Sequence, residues 1–297
     1  MNIVVTGGGG FIGKHLVKKL LEKKNFFIYI LDRRKKNIFH KRVSYHQVDI
    51  SKEKNFLMIK KKIDVIYHFA AQTSNQISEE NPQEDIKNNI IATLNICQWA
   101  KIKKIKKIIF TSSMSVYGND NEGKKENYSC LPQSNYGISK LTCENYIKNL
   151  KKYKIKYLIY RLYNVYGPGQ DLKNLKQGMI SIYLAQAFKK NSIDVKGSLK
   201  RTRDFIYIDD VVRSLCLTKI KWNNTYNIGT GKKYSVLSLL FLIKKILKKN
   251  INIREYPPTP GDIFSSFANI SKIKKFSWKP KITLLAGLNK TIKSYNI

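Results

Sequence analysis

The segment YGISK holds Tyr136 and Lys140 four residues apart, inside SNYGISKLTCENY. On a helix, residues with that spacing share one face, about one turn apart. A phenol with an ordinary pKa of ~10 is a poor base at neutral pH. A nearby ammonium favours the phenolate and lowers that value. The pair can then take a proton from a hydroxyl while a hydride leaves the carbon that bears it. An isolated Y-x-x-x-K is more commonly a solvated pair on an exposed helix. Position argues otherwise here. Ser113 closes the apolar run KIIFTSS, and open α/β sheets bind ligands at the carboxyl ends of their strands. Ser113 completes a hydrogen-bonding triad with the other two.

A hydride needs an acceptor, and the start of the chain offers a place for one. TGGGGFIG, Thr6 to Gly13, follows the apolar run NIVV and precedes the helical pattern FIGKHLVKKLLEKK. Strand, glycine loop and helix in that order form a dinucleotide-binding fingerprint. Glycines let the backbone approach a pyrophosphate, and the helix start presents free N–H groups to it. Two spacings fit: Gly8, Gly10 and Gly13, or Gly7, Gly10 and Gly13. Asp32 ends the next strand pattern, FFIYILD, 19 residues after Gly13. A carboxylate there accepts from both adenine-ribose hydroxyls and repels a 2′-phosphate, which favours NAD over NADP. Arg33 and Arg34 follow and work against that preference. The oxidised nicotinamide is itself a cation and adds to the pull on the phenol.

These residues need elements to hold them. Apolar runs recur at NIVV, FFIYILD, VSYHQVDI, VIYHFAA, KIIFTSS and YLIYRLYNVYG. Between them, helical periodicity covers roughly 85–101 and 136–152, and Ile12, Leu16, Leu20 and Leu21 form one stripe on the first helix. Strands that are apolar throughout and alternate with helices predict a parallel sheet covered on both faces. The expected class is α/β, a Rossmann-type doubly wound sheet with a smaller, interwoven C-terminal substrate lobe. Residues 1–166 form the dinucleotide-binding unit, with 205–232 returning to it; 167–204 and 233–297 form the substrate lobe.

The chain has 297 residues, 42% of them hydrophobic, enough for a large core. No early apolar h-region precedes the glycines, and no apolar run approaches the ~20 residues of a membrane span. The expectation is a cytoplasmic protein. Cys97, Cys130, Cys143 and Cys216 form no C-x-x-C pair and no cluster with the four histidines, so no metal site is expected. The formal charge is +36, from 56 basic and 20 acidic residues. Such a charge raises a nucleic-acid partner as a possibility. The excess, however, is mostly lysine spread along the whole chain, as AAA-rich coding would give it, without a basic tail or zinc finger. No nucleic-acid partner is expected.

Further segments extend the pattern: VDI at Asp49 and Ile50; HFAAQ with Phe69, Ala70 and Ala71; NNIIATLN with Asn89; SSMSVYG; RLYNVYGPGQ with Asn164; RDFIYIDDV with Arg203; NIGTG; and PGD ending in Asp262. With them the chain resembles, over nearly its full length, the extended short-chain dehydrogenases/reductases of the nucleotide-sugar epimerase/dehydratase type. The resemblance implies the spacing Gly7, Gly10, Gly13. It implies a tightly held NAD contacted by the loop (with Phe11 and Ile12), Asp32, Arg33, Asp49, Ile50, Phe69, Ala70, Ala71, Asn89, Tyr136 and Lys140. It implies a nucleotide-sugar substrate met by Ser113, Asn164, Arg203 and Asp262, with Arg203 clamping the diphosphate. A homodimer through the two central helices is implied as well.

Dehydratases of this type carry Asp-Glu after the Ser/Thr, and the decarboxylases keep a Glu. Here Met114 and Ser115 stand there, and neither can protonate a departing hydroxyl. The expected reaction is inversion at C4 of a UDP-hexose or UDP-N-acetylhexosamine through a 4-keto sugar. The alternatives are reduction of a nucleotide-4-keto-6-deoxy sugar by NAD(P)H and, in another class, a non-catalytic nucleic-acid binder. Two departures stand out. Family epimerases usually place a second arginine in R-x-G-D, whereas this chain has Thr259, with Arg201 or Arg254 as substitutes. At the position that limits sugar size it has Ser266, small enough to admit an N-acetyl group.

Overall fold

The computed structural model describes residues 1–36, 38–52, 59–119, 122–259 and 262–295. Strands β1 (Asn2–Thr6), β2 (Phe27–Asp32), β3 (Val43–Gln47), β4 (Val65–His68), β5 (Lys107–Ser113) and β6 (Lys156–Leu162) align in parallel in the order β3-β2-β1-β4-β5-β6. After the short β7 (Asn164–Tyr166), β8 (Ser192–Lys196), β9 (Thr202–Arg203) and β10 (Phe205–Tyr207), strand β11 (Asn224–Ile228) pairs in parallel with β6 and completes seven strands. The order reverses between β1 and β4, which opens a crevice at their carboxyl ends.

The apolar strands are explained by burial on both faces. In β1, Ile3 and Val5 face one core and Val4 the other. The first core takes α1 (Phe11–Leu21) through Leu16, Val17 and Leu20. The second takes α4 (Ala92–Ile102) through Ile96 and Trp99, and α5 (Asn135–Asn149) through Cys143 and Ile147. Before α4 lie α2 (Asn75–Glu80) and α3 (Pro82–Asp85).

The single helix expected over 85–101 is interrupted. Residues Ile86–Ile91 form a π-helical turn before α4 begins. Such turns re-aim side chains and recur at functional sites. Here the turn holds Asn88 toward the crevice and Asn89 inward.

The smaller lobe contains α6 (Met179–Lys190), the parallel pair β8 with β13 (Asn252–Tyr256), and the antiparallel pair β9 with β12 (Tyr234–Ser235). Strand β10 pairs with β7 in a two-stranded sheet of its own, while α7 (Ile208–Leu215) rests on α1. Helix α8 (Val236–Leu247) follows β12, α9 (Ser271–Lys274) rests on β11 of the large sheet, and α10 (Leu284–Lys293) packs against β10 and α8. No described helix is long and apolar enough to cross a membrane.

Candidate active site

A crevice of about 850 Å³ runs from the glycine loop to Asp262. Gly7, Gly10 and Gly13 line it, and Gly8 does not. Gly7 has φ +69°, and a Cβ there would come within 2.7 Å of the Ala70 nitrogen. A Cβ on Gly13 would sit 2.2 Å from the Gly7 carbonyl oxygen. Gly8 would meet only the Ile30 side chain. The close backbone approaches at Gly7 and Gly13 favour the spacing 7, 10, 13 over 8, 10, 13.

The first turn of α1 carries Phe11 and Ile12 on the crevice wall, and its cap, Gly10, offers no side-chain acceptor. The early N–H groups therefore look into the crevice, as a pyrophosphate requires. Asp32 accepts from the Gly9 N–H at 2.9 Å with one oxygen and from the Arg34 N–H at 2.9 Å with the other. Each oxygen keeps a lone pair for a ribose hydroxyl. Arg33, Asp49, Ile50, Phe69, Ala70 and Ala71 also line the crevice. The Asp49 carboxyl is held below its ordinary range: burial alone would raise it, but hydrogen bonds from Ser51 outweigh that. This wall fits an adenine dinucleotide.

Asn89 departs from its expected role and does not line the crevice. Its amide donates to the Gln72 carbonyl, the Asp85 carboxylate and Ser139 Oγ, and its oxygen accepts from the Gln72 N–H. It ties the π-helical turn to α5 and to the loop after β4. Its amide N–H groups are spent internally and it lies off the crevice wall, so it positions neighbours rather than facing a ligand.

Tyr136, Lys140 and Ser113 do converge on the crevice wall. Ser134 caps α5 by accepting from the Gly137 N–H, which starts the helix just before the tyrosine. The next positions at four-residue spacing are Lys140 and Glu144, so one buried stripe of α5 is polar. Ser112 Oγ and Arg161 grip Glu144 from β5 and β6. That grip fixes the helix against the strand ends.

The Tyr136 phenol is pushed well above its ordinary pKa by burial, and the hydrogen bond with Ser113 pulls it back only in part. The sequence assigned that lowering to Lys140. In the structure the hydrogen bond with Ser113 lowers it, while the Lys140 ammonium donates to the Thr111 carbonyl at 3.0 Å and lies 6.0 Å from the centre of the tyrosine ring. Lys140 is itself held below its ordinary range by burial. Nearby His68 is pushed down to about 3 by burial, and then by Lys140. It bridges Thr6 and Thr93 as a neutral ring.

At the far end, Asn164 donates to the Asp204 carbonyl at 3.0 Å and lines the crevice. Arg203 does not pair with Asp204, whose carboxylate accepts from the Thr230, Gly231 and Ala268 N–H groups instead. Arg203 donates to Asp262 at 2.7 Å, and Arg201 binds the other oxygen of the same carboxylate. Asp262 is thus spent on orienting two guanidinium groups. Arg254 is tied to Asp194 on the surface and does not line the crevice, unlike Arg201. Pro260 and Gly261 of the PGD segment lie outside the described residues.

Ser266 is buried, stands behind the crevice wall and donates to the Met114 sulfur at 3.1 Å. Its direct role in sugar size is therefore corrected: Met114 is the residue on the wall. Thr111 and Glu144 went unread as site residues in the sequence, whereas Arg201 and Met114 were singled out there for other reasons. Only the spacing of Glu144, four beyond Lys140, could have flagged one of them.

The sequence matches the NAD dependent epimerase/dehydratase family over residues 3–229. It is 37% identical over 298 residues to a Methanocaldococcus jannaschii protein assigned provisionally as a UDP-glucose 4-epimerase, spanning 98% of this chain and 97% of that protein. UDP-glucuronic acid decarboxylase 6 of Arabidopsis thaliana is 31% identical over 97% of this chain and 87% of its own. The crystal structure of UDP-glucose 4-epimerase with UDP-glucose from Thermotoga maritima superposes with a TM-score of 0.93 at 32% identity, covering 100% of this chain and 99% of that one.

Proposed function

The chain belongs to the NAD-dependent epimerase/dehydratase family, and within it we propose that it inverts C4 of a UDP-hexose or UDP-N-acetylhexosamine through a transient 4-keto sugar. The observation that carries this reading is the company Ser113 keeps. Its hydroxyl meets Ser115 Oγ at 3.1 Å and the Tyr136 phenol, with the Met114 thioether alongside. Elimination of water needs an acid beside the reacting carbons. The residues following Ser113 here are a thioether and a hydroxyl, which supports proton and hydride transfer at one carbinol over elimination.

Bound NAD supplies reversible two-electron chemistry at a carbinol carbon. With the positive charge of oxidised nicotinamide beside it to offset the burial that raises its pKa, Tyr136 would take the proton of the C4 hydroxyl and later return it to the keto oxygen, with Ser113 relaying or polarising. Lys140, anchored on Thr111, holds the neighbouring ribose and fixes the tyrosine's surroundings. Gly7, Gly10, Gly13 and Asp32 hold the dinucleotide. Arg203 grips the diphosphate, so that only the sugar turns before the second transfer. A planar fork suits that task.

The test is product analysis with UDP-glucose and UDP-N-acetylglucosamine and no added cofactor. The expected result is interconversion of C4 epimers, with Tyr136→Phe retaining NAD and losing activity about 10²–10⁴-fold. Consumption of one reduced cofactor per turnover would establish the reductase instead. Release of CO₂ from UDP-glucuronic acid would establish a decarboxylase.

A further inference from the structure

We infer that Arg201 is the second diphosphate-binding cation of this site, in the place the family usually gives to an arginine at position 259. The inference rests on the nucleotide-sugar reading and deepens it. Arg201 precedes Arg203 by two residues, immediately before β9, and both lie on the crevice wall. Asp262 divides its oxygens between them, Oδ2 to Arg201 and Oδ1 to Arg203. A carboxylate held that way fixes two planar forks side by side. Two guanidinium charges against one carboxylate leave a net positive bracket, which is what a nucleoside diphosphate ester needs.

The bonding of Arg201 is incomplete. One terminal nitrogen binds Asp262, and the other donates to the Tyr183 hydroxyl at 3.3 Å. Its Nε–H, on a side chain that is itself more than nine-tenths buried, has no partner among the described residues. A buried donor left without an acceptor is costly, and a phosphate oxygen is the acceptor a guanidinium edge takes best. Arg203, by contrast, also donates to the Thr202 carbonyl at 2.9 Å. Thr259, which occupies the wall beside them, has only a neutral hydroxyl to offer. The positive charge is thus supplied by Arg201 and Arg203, at the entry to β9 and within it, and not from the loop before Asp262.

The test compares UDP with uridine by ligand-observed NMR titration of the NAD-saturated protein. Arg201→Gln is expected to weaken UDP about 10- to 100-fold, the loss of a charged hydrogen-bonded contact, and to leave uridine within twofold. Unchanged UDP affinity overturns the inference. So does an equal loss for UDP and uridine, which would mean a merely structural arginine. If Arg201→Gln fails to fold, Arg201→Lys keeps the charge and loses the fork. At least a threefold loss on UDP alone then supports the inference, and parity with wild type overturns it. Wild-type protein that binds neither UDP nor uridine would instead overturn the nucleotide-sugar reading itself.

Discussion

Replacing Glu144 by glutamine tests how α5, and with it Tyr136 and Lys140, is held. Glu144 is fully buried and accepts four hydrogen bonds. Oε1 receives Ser112 Oγ at 2.7 Å and Arg161 Nε at 2.8 Å; Oε2 receives Arg161 Nη2 at 2.7 Å and Lys148 Nζ at 3.1 Å. Glutamine keeps one oxygen. Whichever way its amide turns, two donors face an N–H₂ group, and the buried guanidinium loses its counter-charge. Lys148 is partly exposed and its contact is screened, so Arg161 dominates the loss. Removing one partner of a buried pair costs about 3–5 kcal/mol, a large share of the roughly 5–15 kcal/mol that holds a typical protein together. Urea unfolding followed by the fluorescence of Trp99, Trp222 and Trp278 measures it. Glu144→Leu combined with Arg161→Met removes both charges and is expected to cost less than Glu144→Gln alone. pH supplies an independent readout. Burial pushes the Glu144 carboxyl up, but Arg161 and Lys148 outweigh that and hold it below its ordinary 4.5. The folded value is depressed, so this stabilisation is complete above about pH 4.5 and is lost as pH falls through the folded value. Glu144→Gln should lack that part of the acid limb. A variant within 1 kcal/mol of wild type, or one with the same acid limb, would refute the reasoning.

Two further outcomes follow from other parts of the site. Gly13→Ala places a Cβ 2.2 Å from the Gly7 carbonyl. It should cost about 1–3 kcal/mol of overpacking and reduce NAD retention at least tenfold, whereas Gly8→Ala, which meets only Ile30, should cost less; equal retention by both variants would contradict the assigned spacing. His68, pushed down to about 3 by burial from an ordinary 6.5, binds its proton in the unfolded chain before the folded one. Stability should therefore be full above about pH 6.5 and fall on acidification toward pH 3, by up to ~1.4 kcal/mol per pH unit for one proton. Denaturation of His68→Asn at pH 7 and pH 5.5 should show a shallower slope than wild type, and parallel slopes would remove His68 from the account.

The sequence alone determined what is local. A strand, four glycines and a helix start define a phosphate-binding turn, because backbone freedom and free N–H groups are set within eight residues. Apolar runs without alternation implied a sheet buried on both faces, and β1 confirms it, with Val4 in one core and its neighbours in the other. The spacing of Tyr136 and Lys140, with Ser113 at a strand end, was enough to bring them to one crevice. Tertiary structure decided whatever depends on partners far along the chain. Asp262 lies 59 residues from Arg203 and 61 from Arg201, so nothing in RTRDF reveals that one carboxylate braces both. Asn89 sits in the expected motif, yet the π-helical turn points it inward to Gln72, Asp85 and Ser139. Ser266 proved to stand one layer behind the wall, under Met114. The electrostatics of the phenol also awaited the fold. A charge four residues away is visible in a sequence, but the burial that outweighs it is a property of everything packed around the ring.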